Sequence, residues 1–191
     1  MTPWALSRGK RALDLVLAIP ASLALFPMAT GVALGIRLRL GRPVLFRQER
    51  VGLNERIFTL YKFRSMRDAD PAAKMTDEER LTPFGRLLRK TSVDELPQLM
   101  NVILGSMSLV GPRPLLADRL PHYDAQQRRR HRVLPGITGW QQINGRNRTP
   151  WKQRLGQDIW YVDNAGIVLD LRILLRTVGV VLSQKDALRT T

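Results

Sequence analysis

Cysteine is absent from these 191 residues, which excludes disulfides and thiolate metal sites and removes any sign of an oxidising compartment. Histidine is nearly absent: His122 and His131 are too few to build a zinc site without carboxylates. Negative charge is scarce, and internal repeats and low-complexity tracts are missing. Sixteen acidic residues face 31 basic ones, a formal net charge of +15, and 25 of the 31 are arginine. Arginine carries a planar, permanently charged fork suited to phosphate, so the surplus predicts polyanionic partners. Nucleic acid, an anionic membrane surface and phosphorylated small molecules all qualify. The length fits one domain with room for a membrane element.

Charge of either sign is missing from Leu15 to Ile36, a run of 22 residues. That length crosses a hydrocarbon core of roughly 30 Å. It exceeds a signal-peptide apolar region, and basic residues follow at once. Arg8, Lys10 and Arg11 precede the run, while Arg37, Arg39, Arg42, Arg47 and Arg50 follow it. Positive charge favours the cytoplasmic side, so both ends are drawn to the same face. Pro20 and Pro27 each remove a backbone donor. A helix broken at Pro20 enters one leaflet and turns back where polar groups satisfy the freed carbonyls, Ser22 being a candidate. A kinked spanning helix is equally open on these grounds. Either form binds a membrane, and the chain divides into an anchoring segment, 1–40, and a catalytic domain, 41–191.

In the second part, Val44–Arg50 and Ile57–Met66 are rich in β-branched and aromatic residues around Gly52-Leu53-Asn54, which predicts a short hairpin. Asp68–Glu79 reads as a solvated loop. Thr82-Pro83 predicts a helix start, with Pro83 at the first helical position, running to about Lys90. A further helix is expected from Ser92, with Ser92-x-x-Glu95 as a capping box and Gly105 as its end. Arg128-Arg129-Arg130-His131-Arg132 reads as a solvated helix surface ahead of a nucleic-acid patch. Pro135–Trp140 and Asn144–Asn147 are turn-rich and offer backbone donors for a phosphate cradle. The last helix, about Val168 to Leu182, spaces Leu171, Leu174, Leu175 and Val178 helically, which predicts a core-facing stripe ahead of an interfacial one.

The chemistry concentrates in residues 89–114. Asp94 and Glu95 follow the basic pair Arg89 and Lys90, and Arg113 is locked between Pro112 and Pro114. Carboxylates beside fixed guanidinium groups suit metal-assisted phosphoryl transfer. Capping is the competing role for Glu95, whereas nearby cations keep Asp94 ionised.

Six blocks occur in order: Tyr61–Met66, Asp94–Gln98, Ser108–Pro114, Pro135–Trp140, Asn144–Asn147 and Tyr161–Asn164. With Lys10-Arg11-Ala12-Leu13-Asp14 at their head, they make the chain resemble the bacterial sugar transferases of the small monotopic phosphoglycosyl transferase family. The resemblance implies an α+β, mainly helical fold: a proline-broken re-entrant membrane helix, a short β-hairpin and amphipathic interfacial helices around a compact catalytic domain. It also implies transfer of a phosphosugar from a UDP-sugar to a polyprenyl (undecaprenyl) phosphate, with UMP released. Asp94 would be the nucleophile and a Mg²⁺ ligand, with Glu95 its catalytic partner. Lys62, Arg89, Arg113 and Arg146 would bind phosphate or nucleotide, with Pro112 and Pro114 presenting Arg113 and Pro20 breaking the membrane helix. The implied setting is the bacterial inner membrane, monotopic, with the site on the cytoplasmic face and no nucleic-acid partner. A nucleic-acid binder and a catalytically silent scaffold of glycan assembly are the competing readings. Two positions depart from the family's habit: Ile19 stands where serine often precedes the proline, and Ala165-Gly166 stands where Trp-Ser often follows Asn164.

Overall fold

A computed structural model describes residues 2–68, 75–145 and 149–182. A 3-10 turn, Pro3–Leu6, leads into helix α1, Arg8–Arg39, where the Ser7 side chain accepts from the Lys10 amide and caps the start. Strands β1 (Leu45–Val51) and β2 (Ile57–Phe63) form the expected antiparallel hairpin, pairing Leu45 with Phe63 and Val51 with Ile57. Three helices follow: α2 (Asp77–Arg80), α3 (Pro83–Lys90) and α4 (Gln98–Leu104). Strand β3 (Ser108–Val110) pairs in parallel with β4 (Gly136–Thr138), across an excursion that holds α5 (Ala125–Arg128). Helices α6 (Trp140–Ile143), α7 (Trp151–Asn164) and α8 (Ile167–Leu182) complete the fold.

Helix α1 is the described helix long and apolar enough to cross a membrane. It stays helical through Pro20 and Pro27, so the predicted break at Pro20 is not a loss of helical conformation. Ser22 does not repair the carbonyl that Pro20 frees, which is Val16's; its hydroxyl donates instead to Ala18 O at 2.7 Å. Both ends of α1 dock on the rest of the chain. Near its start, Arg11 donates to the carbonyls of Val102 and Ile103 at 2.5 and 2.7 Å, satisfying the open end of α4. Asp14 accepts from Ser108 Oγ and Leu109 N, both at 3.0 Å. Toward its end, Ile36, fully buried, joins Phe63 and Leu88 in a cluster with Val32 and Ala33 alongside. Between these ends, Leu23 and Phe26 are exposed.

A second cluster beneath the hairpin contains Ala18, Leu60, Val102 and Met107; a third joins Ala5, Val110, Val133, Tyr161, Val162, Ala165 and Ile173. Ala165, one of the two positions set apart from the resemblance above, is thus a buried core residue. The third cluster surrounds a polar knot on Asp170. Lys10 Nζ lies 2.7 Å from Asp170 Oδ2, Trp4 Nε1 donates to the same oxygen at 2.8 Å, and Tyr161 donates to Oδ1 at 2.7 Å. Burying a carboxylate is costly, and filling its lone pairs in this way offsets that cost.

Several expectations need correction. Asp68–Glu79 is not all loop: Thr76 and Glu79 form a capping box that starts α2. The Ser92 box does not form; Ser92 is left-handed (φ 58°) without a capping bond, and Val93–Glu95 is a 3-10 turn ahead of α4. Helix α8 buries Asp170 and Ile173 but leaves Leu171, Leu175 and Val178 exposed, so the stripe read as core-facing is largely outward.

Candidate active site

The 3-10 turn Val93–Glu95 sits where α3 and β2 converge. Helix α3 reaches it because Gly85 lies flush against the chain leaving β2: a Cβ there would come 1.7 Å from Ser65 O. The same contact brings Arg89 Nε to 2.9 Å from Ser65 Oγ, aligning its guanidinium from the α3 side. Asn101 of α4 fixes β2 from below, accepting from Tyr61 N at 3.1 Å and donating to Thr59 O at 2.7 Å. Lys62, the next residue, then reaches Glu95, Nζ to Oε1 being 2.6 Å.

Arg113 meets the same carboxylate oxygen at 3.1 Å. Its backbone is gripped on successive carbonyls. Pro112 O accepts from Gly136 N at 3.0 Å, Arg113 O from Arg130 Nη2 at 2.6 Å, Pro114 O from Arg50 Nη1 at 3.3 Å and Leu115 O from Val51 N at 3.1 Å. The prolines of Pro112-Arg113-Pro114 are thus one source of rigidity among several. The Pro135–Trp140 segment, read as a phosphate cradle, is a structural partner instead. Gly136 belongs to β4 and a Cβ on it would lie 2.1 Å from Gly111 N, so its glycine serves close backbone packing.

The two adjacent carboxyls are driven apart. Burial opposes the charge on Asp94, the Glu95 charge adds to that, and together they raise its pKa to about 6 against the pull of Lys62, Arg89 and Arg113. Burial also works against Glu95, but Lys62 and Arg113 outweigh it and hold the carboxyl down at about 2. Glu95 is therefore a fixed anion with its charge spent on two cations. Asp94 is 7% exposed, and no hydrogen bond or ion pair to its carboxylate exists among the described residues. This is the state of a group kept for another partner.

Lys62, Arg89, Asp94, Glu95, Pro112, Arg113 and Pro114 are thus brought together as the sequence suggested; Arg146 lies outside the described residues. Two contributors were not singled out from sequence. Arg50 was read only as a helix-flanking charge, yet it stands beside Arg113, its pKa lowered to about 10 by burial and by that neighbour's charge. Arg130 was read as part of a solvated run but is 2% exposed. Three of its arginines are paired: Arg128 bonds Glu55 through both carboxylate oxygens, Arg129 pairs with Asp163 and Arg130 with Asp158.

Comparison with known proteins identifies the family. The pattern of the family described as bacterial sugar transferase matches residues 5–184. The uncharacterized sugar transferase EpsL of Bacillus subtilis (strain 168) is 50% identical over 95% of this chain and 91% of its own length. The UDP-glucose:undecaprenyl-phosphate glucose-1-phosphate transferase of Xanthomonas campestris pv. campestris is 43% identical over 91% of this chain, which spans 39% of that longer relative. The exopolysaccharide production protein PSS of Rhizobium leguminosarum bv. phaseoli is 42% identical over 88% of this chain and 92% of its own. With nearly its whole length covered by the family's pattern, the chain belongs to the bacterial sugar transferases and is an enzyme of that family.

Proposed function

We propose that this enzyme moves a phosphosugar from a UDP-sugar to a polyprenyl phosphate at a membrane surface, through a covalent intermediate on Asp94. The observation that carries this reading is the division of labour between neighbouring carboxyls: Glu95 tied to Lys62 and Arg113, Asp94 buried and uncommitted. In the first step a carboxylate oxygen of Asp94 attacks the phosphorus nearest the sugar. The P–O bond to UMP breaks, UMP leaves with the electron pair, and an acyl phosphate remains. In the second step a phosphate oxygen of the polyprenyl phosphate attacks the same phosphorus. That step frees the Asp94 carboxylate and yields the polyprenyl-diphosphate-sugar. Arg113 and Arg89 hold the phosphoryl oxygens, while Lys62 and Glu95 fix Arg113's guanidinium and the local charge.

Mg²⁺ fits this donor set. Magnesium is commonly held by one or two carboxylates plus substrate phosphates, and Asp94 offers an uncommitted carboxylate next to the site where a diphosphate would lie. When bound, the ion would neutralise diphosphate charge. No group of three or more possible metal ligands occurs among the described residues, so the substrate's oxygens would complete the shell.

The same reading places α1 as a re-entrant anchor with both ends on the cytoplasmic face. Ala18 and Ile36 would be about 27 Å apart in a straight helix. Their clusters, however, rest on Leu60 and Phe63 of one strand, about 10 Å apart. A helix that bends back at its proline-containing middle meets both demands. The exposed Leu171, Leu175 and Val178 of α8, interleaved with Arg172 and Arg176, suit a headgroup interface.

The test is UMP release from UDP-glucose, UDP-galactose and UDP-N-acetylated amino sugars, with polyprenyl phosphate and Mg²⁺. Asp94→Asn should abolish release, and mass spectrometry of the wild type with donor alone should find a phosphosugar on Asp94. An active asparagine variant would sink the covalent mechanism.

A further inference from the structure

Arg130 and Asp158 lie outside the group that touches substrate in the reading above, yet they are the most deeply buried ion pair adjoining it. Their side chains are 1% and 6% exposed. Arg130 Nε and Nη2 both donate to Asp158 Oδ2, at 3.1 and 2.7 Å, joining the 3-10 turn after α5 to the middle of α7. Nη2 donates a second time, to the carbonyl of Arg113 at 2.6 Å. A buried ion pair seldom adds net stability over apolar packing, so its retention calls for a further role.

We infer that the Arg130–Asp158 pair is a positioning device for Arg113: Asp158 aims the Arg130 fork, and the fork's free edge fixes the main chain from which the Arg113 side chain extends to Glu95. The other carbonyls of the segment are held by backbone amides or by the solvent-reachable Arg50, leaving Arg113's own peptide dependent on this contact. Arginine is required, because one planar group must serve a carboxylate and a carbonyl in fixed directions. A lysine keeps the charge against Asp158 but has no fork to hold both acceptors.

The kinetic part of this inference rests on the phosphosugar-transfer reading; its structural part does not. Two measurements on the full chain in detergent separate them. The first follows modification of Arg113 by phenylglyoxal, read by peptide mass spectrometry against exposed Arg86 as internal reference. Arg130→Lys and Asp158→Asn should accelerate Arg113 modification several-fold. Asp170→Asn, which weakens a buried pair that reaches β3 at Val110 through Tyr161 and makes no bond to Arg113's own peptide, should lower the melting temperature while leaving Arg113's rate alone. The second is a double-mutant cycle on UMP release. Arg130→Lys should cost about 100-fold in kcat/KM in the wild-type background, the scale of an ångström-level misplacement. In an Arg113→Ala background it should cost almost nothing further, because Arg130 acts through Arg113.

Unchanged Arg113 reactivity in a folded Arg130→Lys variant overturns the inference, as do additive losses in the cycle. Altered Arg113 reactivity in a protein that releases no UMP from any donor leaves the positioning intact and removes the functional reading instead.

Discussion

Lys62 Nζ stands 2.6 Å from Glu95 Oε1, joining the hairpin to the Val93–Glu95 turn with both side chains 19% exposed. Partial burial makes this pair stronger than a surface salt bridge, and it fixes which neighbouring carboxyl is held as the anion. Lys62→Met should therefore raise the pKa of Glu95 and of Asp94 together and lower kcat/KM for the donor by about 100-fold, as loss of one charge-stabilising contact does. Steady-state kinetics checks the loss. Wild-type kinetics in the variant would mean that Arg113 alone suffices.

The pH dependence follows from Asp94. Its pKa is raised, chiefly by burial, to about 6, and in the proposed mechanism only the ionised form would attack phosphorus. At limiting Mg²⁺, kcat/KM should rise with pH through about 6 and level off above it. Saturating Mg²⁺ favours the carboxylate and should move that limb to lower pH; Lys62→Met should move it higher. A limb indifferent to both would assign the titration to another group.

Gly85 tests the link between packing and chemistry. An alanine methyl would strike the Ser65 carbonyl, so α3 must shift and Arg89 with it. Gly85→Ala should cost about 1–3 kcal/mol in unfolding, the usual penalty of overpacking. It should also raise the donor KM through Arg89. Calorimetry and kinetics on one preparation would show whether the two effects travel together.

Topology is accessible because the chain has no cysteine of its own. Single cysteines at the exposed positions Arg8 and Arg56, on either side of α1, should both react with an impermeant maleimide only from the cytoplasmic side. Labelling from opposite sides would establish a spanning helix.

What could be read from sequence was local. Thr82-Pro83 fixed a helix start through a hydroxyl cap and a preset φ, and the structure has it there. The hairpin followed from two β-prone runs around a turn, and Gly105 ends α4 in the left-handed conformation glycine permits. Asp94 and Glu95 were identifiable because charge chemistry is written in the residue types. What escaped depended on distant partners. The Ser92 capping box had the right letters, but Ser92 is left-handed and makes no capping bond, and Val93–Glu95 forms a 3-10 turn instead. The β3–β4 pair joins two three-residue strands about 26 residues apart, too short for a periodic signal. Arg130 was read with its neighbours as a solvated run because nothing within its own segment announces Asp158, 28 positions on.

Arg11 and Asp14, early in the long apolar helix α1, hold the last carbonyls of α4 and the start of β3, while Ile36 at its other end completes the cluster under α3. The helix proposed as an anchor is therefore also a wall of the enzyme. A version trimmed to residues 41–191 would lose the caps and covers that keep α3 and α4 in place, and solubility won that way would cost the alignment of the carboxylates. A water-soluble form would need the exposed positions such as Leu23 and Phe26 made polar with the helix retained. If α1 lies in a bilayer as proposed, distance from that bilayer and the shape of the candidate site are set by the same stretch of chain.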